Sequence, residues 1–106
     1  MKNYKQVYCD YFGYQEDDTI LCEITGRNAV DISHNKARGM GGSKHKDVIE
    51  NLMALTREAH IFLEQNPKFF WWFQLVHLHY MITKTPYTDS ILSLDDPIFN
   101  EIKTKL

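Results

Sequence analysis

The sequence predicts an α+β fold, on three observations. Two short β-prone runs flank a Thr25-Gly26 turn. Apolar residues then recur at helical spacing from Val48. Prolines at 67, 86 and 97 divide the remainder into helix-sized pieces. A chain of 106 residues suffices for one small core, so the whole chain, 1–106, reads as a single domain.

Residues 1–18 are rich in Tyr and end in Glu16-Asp17-Asp18, a short acidic cluster that reads as a solvated turn. Thr19 to Ile24 is β-prone, and Ala29 to His34 is a second short strand with alternating character. Two strands around a glycine turn predict a hairpin. Asn35 to Lys46 contains Gly39, Gly41 and Gly42, too much backbone freedom for a helix or strand, so it reads as a loop. Val48, Leu52, Leu55, Ala59 and Phe62 recur at helical spacing and by themselves predict one helix over 48–64. Asn66-Pro67 ends it, and Pro67 can open the next helix, which runs to about Lys84. Thr85-Pro86 breaks the chain again. Asp96 followed by Pro97 is an N-cap with proline at the first helical position, opening a short amphipathic helix with Ile98, Phe99 and Ile102.

The most apolar run, Phe69 to Ile82, is interrupted by Gln74, His77 and His79. A bilayer span needs roughly 20 apolar residues, so the run reads as core or as an interface for a second copy or a protein partner, with no membrane association. The N-terminal residues lack an apolar signal segment. Two cysteines, Cys9 and Cys22, are too few for a secreted disulfide scaffold; both are expected as buried free thiols in a cytoplasmic setting. His77 and His79, two apart on a helix, point to different faces and read as structural.

The net charge of -2 counts, in bulk, against a polyanion partner. Its distribution is uneven. Residues 27–46 carry five cations (Arg27, Lys36, Arg38, Lys44, Lys46) against Asp31 alone, giving +4 there and -6 elsewhere. That pattern suits a local phosphate-binding loop on an acidic body.

His34, Asn51 and His60 follow one another around this loop. One histidine can act as general base near neutral pH, and another can bind a divalent metal. Together with a cationic glycine-rich loop they provide what phosphodiester hydrolysis requires: a base for water, a metal for the leaving oxygen, and cations for the polyanion.

The wording of the chain is more specific. Cys22-Glu-Ile-Thr-Gly26, Ala29-Val-Asp-Ile-Ser-His34, Arg38-Gly-Met-Gly-Gly42 and Ile49-Glu-Asn-Leu-Met-Ala-Leu55-Thr-Arg-Glu-Ala-His60 closely resemble the HNH endonuclease family, in particular its small phage-type members. The resemblance covers residues 20–65, and 67–106 would be a helical C-terminal extension. It implies a ββα-metal core gripping one divalent ion (Mg²⁺, Mn²⁺ or Zn²⁺), with DNA as the partner. By motif position it implies His34 as general base, His60 as metal ligand, and Asn51 as the residue that fixes the loop behind His34. Lys36, Arg38, Lys44 and Lys46 would contact phosphates. It also implies that Asn51 to Leu55 enters a second strand and that the helix begins near Thr56. This conflicts with one helix over 48–64, and the family reading is preferred, because a dense apolar strand also satisfies a loose periodic count.

The chain departs from the family at two places. Many relatives hold a structural zinc with two cysteine pairs; here those positions are Cys22, Thr25, Thr56 and Ala59, so no structural zinc is expected. The position before the base is usually a His or Asp metal ligand, and here it is Ser33. A neutral hydroxyl is the poorer ligand, and Asp31, on the same strand face, could substitute for it. The reading is therefore a metal-dependent HNH-type DNA endonuclease or nickase. The alternative is a catalytically weakened HNH-like module that binds DNA or a protein partner.

Overall fold

The computed structural model describes residues 3–35 and 47–106. The first helix, α1 (Tyr4–Phe12), is capped at both ends. The Asn3 side chain accepts the Gln6 amide, and Gly13 adopts φ 75°, a left-handed stop that glycine takes at little cost. Glu16-Asp17-Asp18 follows as an exposed turn.

The predicted hairpin of 19–24 with 29–34 does not form as a strand pair. Between those runs there is a single bridge, Leu21 to Asn28. Ile20 and Cys22 bond across the turn to Ala29 and Arg27, but Glu23 and Ile24 spend their backbone groups elsewhere. The Glu23 amide donates to the Ala54 carbonyl, and the Glu23 and Ile24 carbonyls accept from Tyr87 and Thr88. Gly26 turns the chain with φ 77°, and a side chain there would press on Pro86, its Cβ only 3.3 Å from the proline ring.

The sheet is formed by β1 (Asp31–His34) and β2 (Leu52–Leu55), antiparallel, with Asp31 opposite Leu55 and His34 opposite Leu52. The single helix over 48–64 is thereby overturned for its first half. All four β2 residues are buried, so no polar alternation marks the strand. Leu52 and Ala54 face Tyr8 of α1, while Met53 and Leu55 join the main core on the other side. Two buried faces give a continuous apolar run, which periodicity cannot distinguish from helix.

Thr56 accepts the Ala59 amide and starts α2 (Arg57–Gln65). A 3₁₀ turn at Pro67 leads into α3 (Phe70–Thr83), which ends at Lys84 in the left-handed conformation. Asp96 caps α4 (Pro97–Ile102) by accepting the Ile98 and Phe99 amides. Its second carboxylate oxygen accepts from Trp72 Nε1 at 2.8 Å and Tyr87 OH at 2.6 Å, locking the C-terminal elements to α3.

The main core joins Cys22, Ile24, Met53 and Leu55 to Phe62, Trp72, Phe73, Phe99 and Ile102, so the C-terminal helices complete the core of the strands. Trp72 and Phe73 are buried there, but Trp71 is 51% exposed. With Leu75, Leu78 and Ile82 it forms an exposed apolar stripe along α3. Both cysteines are free; Cys22 is buried, whereas Cys9 is only half-buried. Among the described residues no helix is long and apolar enough to cross a membrane.

Candidate active site

His34 is the last residue of β1, where a strand side chain projects beside the start of β2. Its Nε2 lies 2.7 Å from Asp47 Oδ1, and the Tyr4 ring of α1 packs against the imidazole at 4.8 Å between centroids. A carboxylate can only accept, so Nε2 carries the proton in the neutral ring and Nδ1 keeps the lone pair. Sequence reasoning missed Asp47. Its sole signal was an acid directly after the basic loop.

The main chain of Asn51 meets the histidine strand. The amide of Asn35, the residue after His34, donates to the Asn51 carbonyl at 2.9 Å. Asn51 ends the 3₁₀ turn Ile49–Asn51, which delivers the chain into β2.

His60 lies one turn into α2. Its Nδ1 is 3.0 Å from Asp31 Oδ2, and its Nε2 is 3.1 Å from Glu64 Oε1. Asp31 is also 3.2 Å from Arg57 Nε. His60 therefore stands between two clefts. One is lined by Tyr4, Lys5, Ile20, Asp31 and Ile32; the other, about 540 Å³, by Ser33, His34, Asn35, Glu64, Pro67 and Phe70. Ser33, His34 and His60 thus meet in one cleft, with Glu64 as a member that sequence reasoning did not name. The available signal was the four-residue spacing, which puts His60 and Glu64 on one helix face. Asp31 reaches His60 from the other cleft. Lys36, Arg38, Lys44 and Lys46 lie outside the described residues.

The donors in the cleft bear on which ion they suit. Among the described residues no three of His, Cys, Asp and Glu are grouped to hold a metal. Ser33 is buried and neutral, and Asn35 Oδ1 is buried with no hydrogen-bond partner among the described residues. One imidazole, one carboxylate and neutral oxygens fit Mg²⁺ or Mn²⁺, hard ions that keep several waters. Among the described residues they fall short of the three protein ligands of catalytic zinc.

A second histidine–carboxylate pair is wholly buried. His77 Nδ1 lies 2.7 Å from Glu23 Oε1, and His77 Nε2 donates to the Ile49 carbonyl at 2.6 Å. Glu23 Oε2 accepts from Tyr8 OH at 2.6 Å and the Ala54 amide at 3.3 Å. Burial pushes the Glu23 carboxyl up against the lowering effect of these bonds. Burial works to lower His77, but the contact with Glu23 outweighs it and raises the imidazole above its ordinary value. Comparison of the chain with family models, with curated proteins and with solved structures returned no match.

Proposed function

We propose that the chain is a metal-dependent, HNH-type DNA endonuclease or nickase with a ββα-metal core built from β1, β2 and α2. The observation that carries this reading is the shared cleft of His34, backed by Asp47, and His60, backed by Asp31 and neighboured by Glu64.

His34 Nδ1 takes a proton from water as the water oxygen attacks phosphorus. The bond from phosphorus to the leaving sugar oxygen breaks, and that oxygen is protonated from solvent. Asp47 holds the tautomer and stabilises the imidazolium that forms, as the carboxylate does behind other histidine bases. His60 and Glu64 would hold the divalent ion, with Ser33 close by. When bound, the ion stabilises charge developing on the phosphate and leaving oxygens. Asp31 orients the His60 ring through Nδ1, a partner of the kind that metal-binding histidines usually have. Lys36, Arg38, Lys44 and Lys46 supply the phosphate contacts on the reading of the sequence. Incubation with supercoiled plasmid tests the proposal: nicking should need Mg²⁺ or Mn²⁺ and stop with EDTA.

A second reading, a module that binds DNA or a protein partner without cutting, draws on the neutral Ser33 and on the lack of three grouped ligands among the described residues. Calorimetry separates the two. Mn²⁺ binding together with nicking supports the enzyme, and DNA binding without either supports the module.

A further inference from the structure

We propose that Gln74 of α3 is a positioning residue for His34, a role that rests on the hydrolytic reading above. Gln74 Nε2 donates to the Glu50 carbonyl at 2.6 Å, and Gln74 Oε1 accepts from Asn35 Nδ2 at 3.4 Å. Asn35 directly follows His34, and Glu50 directly precedes Asn51. One side-chain amide therefore spans both arms of the connection between β1 and β2, just beyond the pairing of His34 with Leu52. The Asn35 amide bond to the Asn51 carbonyl closes the same end.

The clamp continues along the helix. Gln74 and His77 are three residues apart and share a face. His77 donates to the Ile49 carbonyl, and its other nitrogen is fixed by buried Glu23. Two consecutive carbonyls of the 3₁₀ turn are thus held by α3, from outside the segment that resembles a nuclease. A strand pair of four residues each does not by itself hold the strand end in one place. The bonds from α3 do so, and they set where His34 stands relative to Asp47 and to the cleft. A catalytic base displaced by a fraction of an ångström loses rate rather than binding.

The test is Gln74→Met in the full chain, which keeps side-chain length and removes both hydrogen bonds. Two readouts are taken. The first is native-state hydrogen exchange at the Asn35 amide, compared with the Glu23 amide, which bonds to Ala54 across the core. The second is the kcat and KM of plasmid nicking. The expected result is roughly tenfold faster exchange at Asn35 with Glu23 unchanged, and roughly tenfold lower kcat with KM unchanged. If the Gln74→Met chain does not fold, Gln74→Leu removes the same two bonds and is expected to lower kcat in the same way. Unchanged exchange at Asn35, or equal acceleration at Asn35 and Glu23, would overturn the positioning role, the latter because it reports only general loosening. If the wild-type chain cuts no DNA, the hydrolytic reading fails by itself, and the exchange comparison still decides whether Gln74 holds the end of β1.

Discussion

His34 Nε2 and Asp47 Oδ1 stand 2.7 Å apart, joining the end of β1 to the residue two before the 3₁₀ turn. In the proposed reaction the bond orients the ring so that Nδ1 takes the proton. Asp47→Asn retains the shape but can present an amide donor to Nε2, favouring the wrong tautomer. We expect it to lower the nicking rate by about tenfold or more, with an unchanged circular dichroism spectrum. Initial rates on supercoiled plasmid measure this.

His60 and Glu64 occupy successive turns of α2 with their polar atoms 3.1 Å apart. If they share the ion, Glu64→Gln weakens Mn²⁺ binding at least about tenfold, as removal of a charged ligand should. Asp31→Asn weakens it by about tenfold, through the orientation of His60. Titration calorimetry reads both, and wild-type affinity in Glu64→Gln would remove Glu64 from the site.

The Glu23–His77 pair predicts how stability depends on pH. Nε2 of His77 must donate to a carbonyl, and Glu23 Oε2 already accepts two bonds, so one proton sits between Nδ1 and Oε1. Folding raises the His77 pKa, so its stabilisation is present below the ordinary histidine range and is lost as pH rises through the folded value. Tyr8 is pushed up by burial and by Glu23, which adds a further loss at strongly alkaline pH. Glu23 is also raised by folding, so melting temperature should begin to fall above the ordinary carboxylate range and fall further on the alkaline side of about pH 6.5, and His77→Gln should flatten the latter slope. His77→Ala, which leaves a buried carboxylate unpaired, should cost about 3–5 kcal/mol in urea denaturation.

Asp96 binds four donors with one carboxylate: two helix amides, the Trp72 indole and the Tyr87 hydroxyl. Burial raises its pKa, but the Tyr87 and Trp72 bonds and the helix amides outweigh that and lower it. Asp96→Ala removes the cap and leaves two aromatic donors without their acceptor. We expect a loss of about 2–4 kcal/mol, visible in denaturant melts. A loss below 1 kcal/mol would mean that water replaces the carboxylate there.

Much of this architecture was legible in the sequence where local chemistry decides it. Asp96 and Pro97 mark a helix start by capping and a fixed φ, and Pro67 opens a 3₁₀ turn that leads into α3; the start at Thr56 was expected from the resemblance alone, and its cap is seen in the structure. The strand at Leu52–Leu55 was hidden from periodicity because both its faces are buried. The 19–24 run pairs across its turn only through Ile20 and Cys22, while Glu23 and Ile24 bond to Ala54, Tyr87 and Thr88, partners distant in sequence. The first helix was obscured by its many tyrosines, although Asn3 and Gly13 bracket it as caps. In the candidate site, His34 and His60 were legible through motif spacing. Asp47 and Gln74 were not, because each acts through a contact that only the tertiary fold creates.

The reaction itself is tested most directly with His34→Ala. Wild-type and variant chains, matched in circular dichroism and melting temperature, are incubated with supercoiled plasmid and Mn²⁺. A general base at His34 predicts wild-type nicking that EDTA abolishes, and a loss of at least about 100-fold in the variant. Equal nicking by the two chains would contradict it.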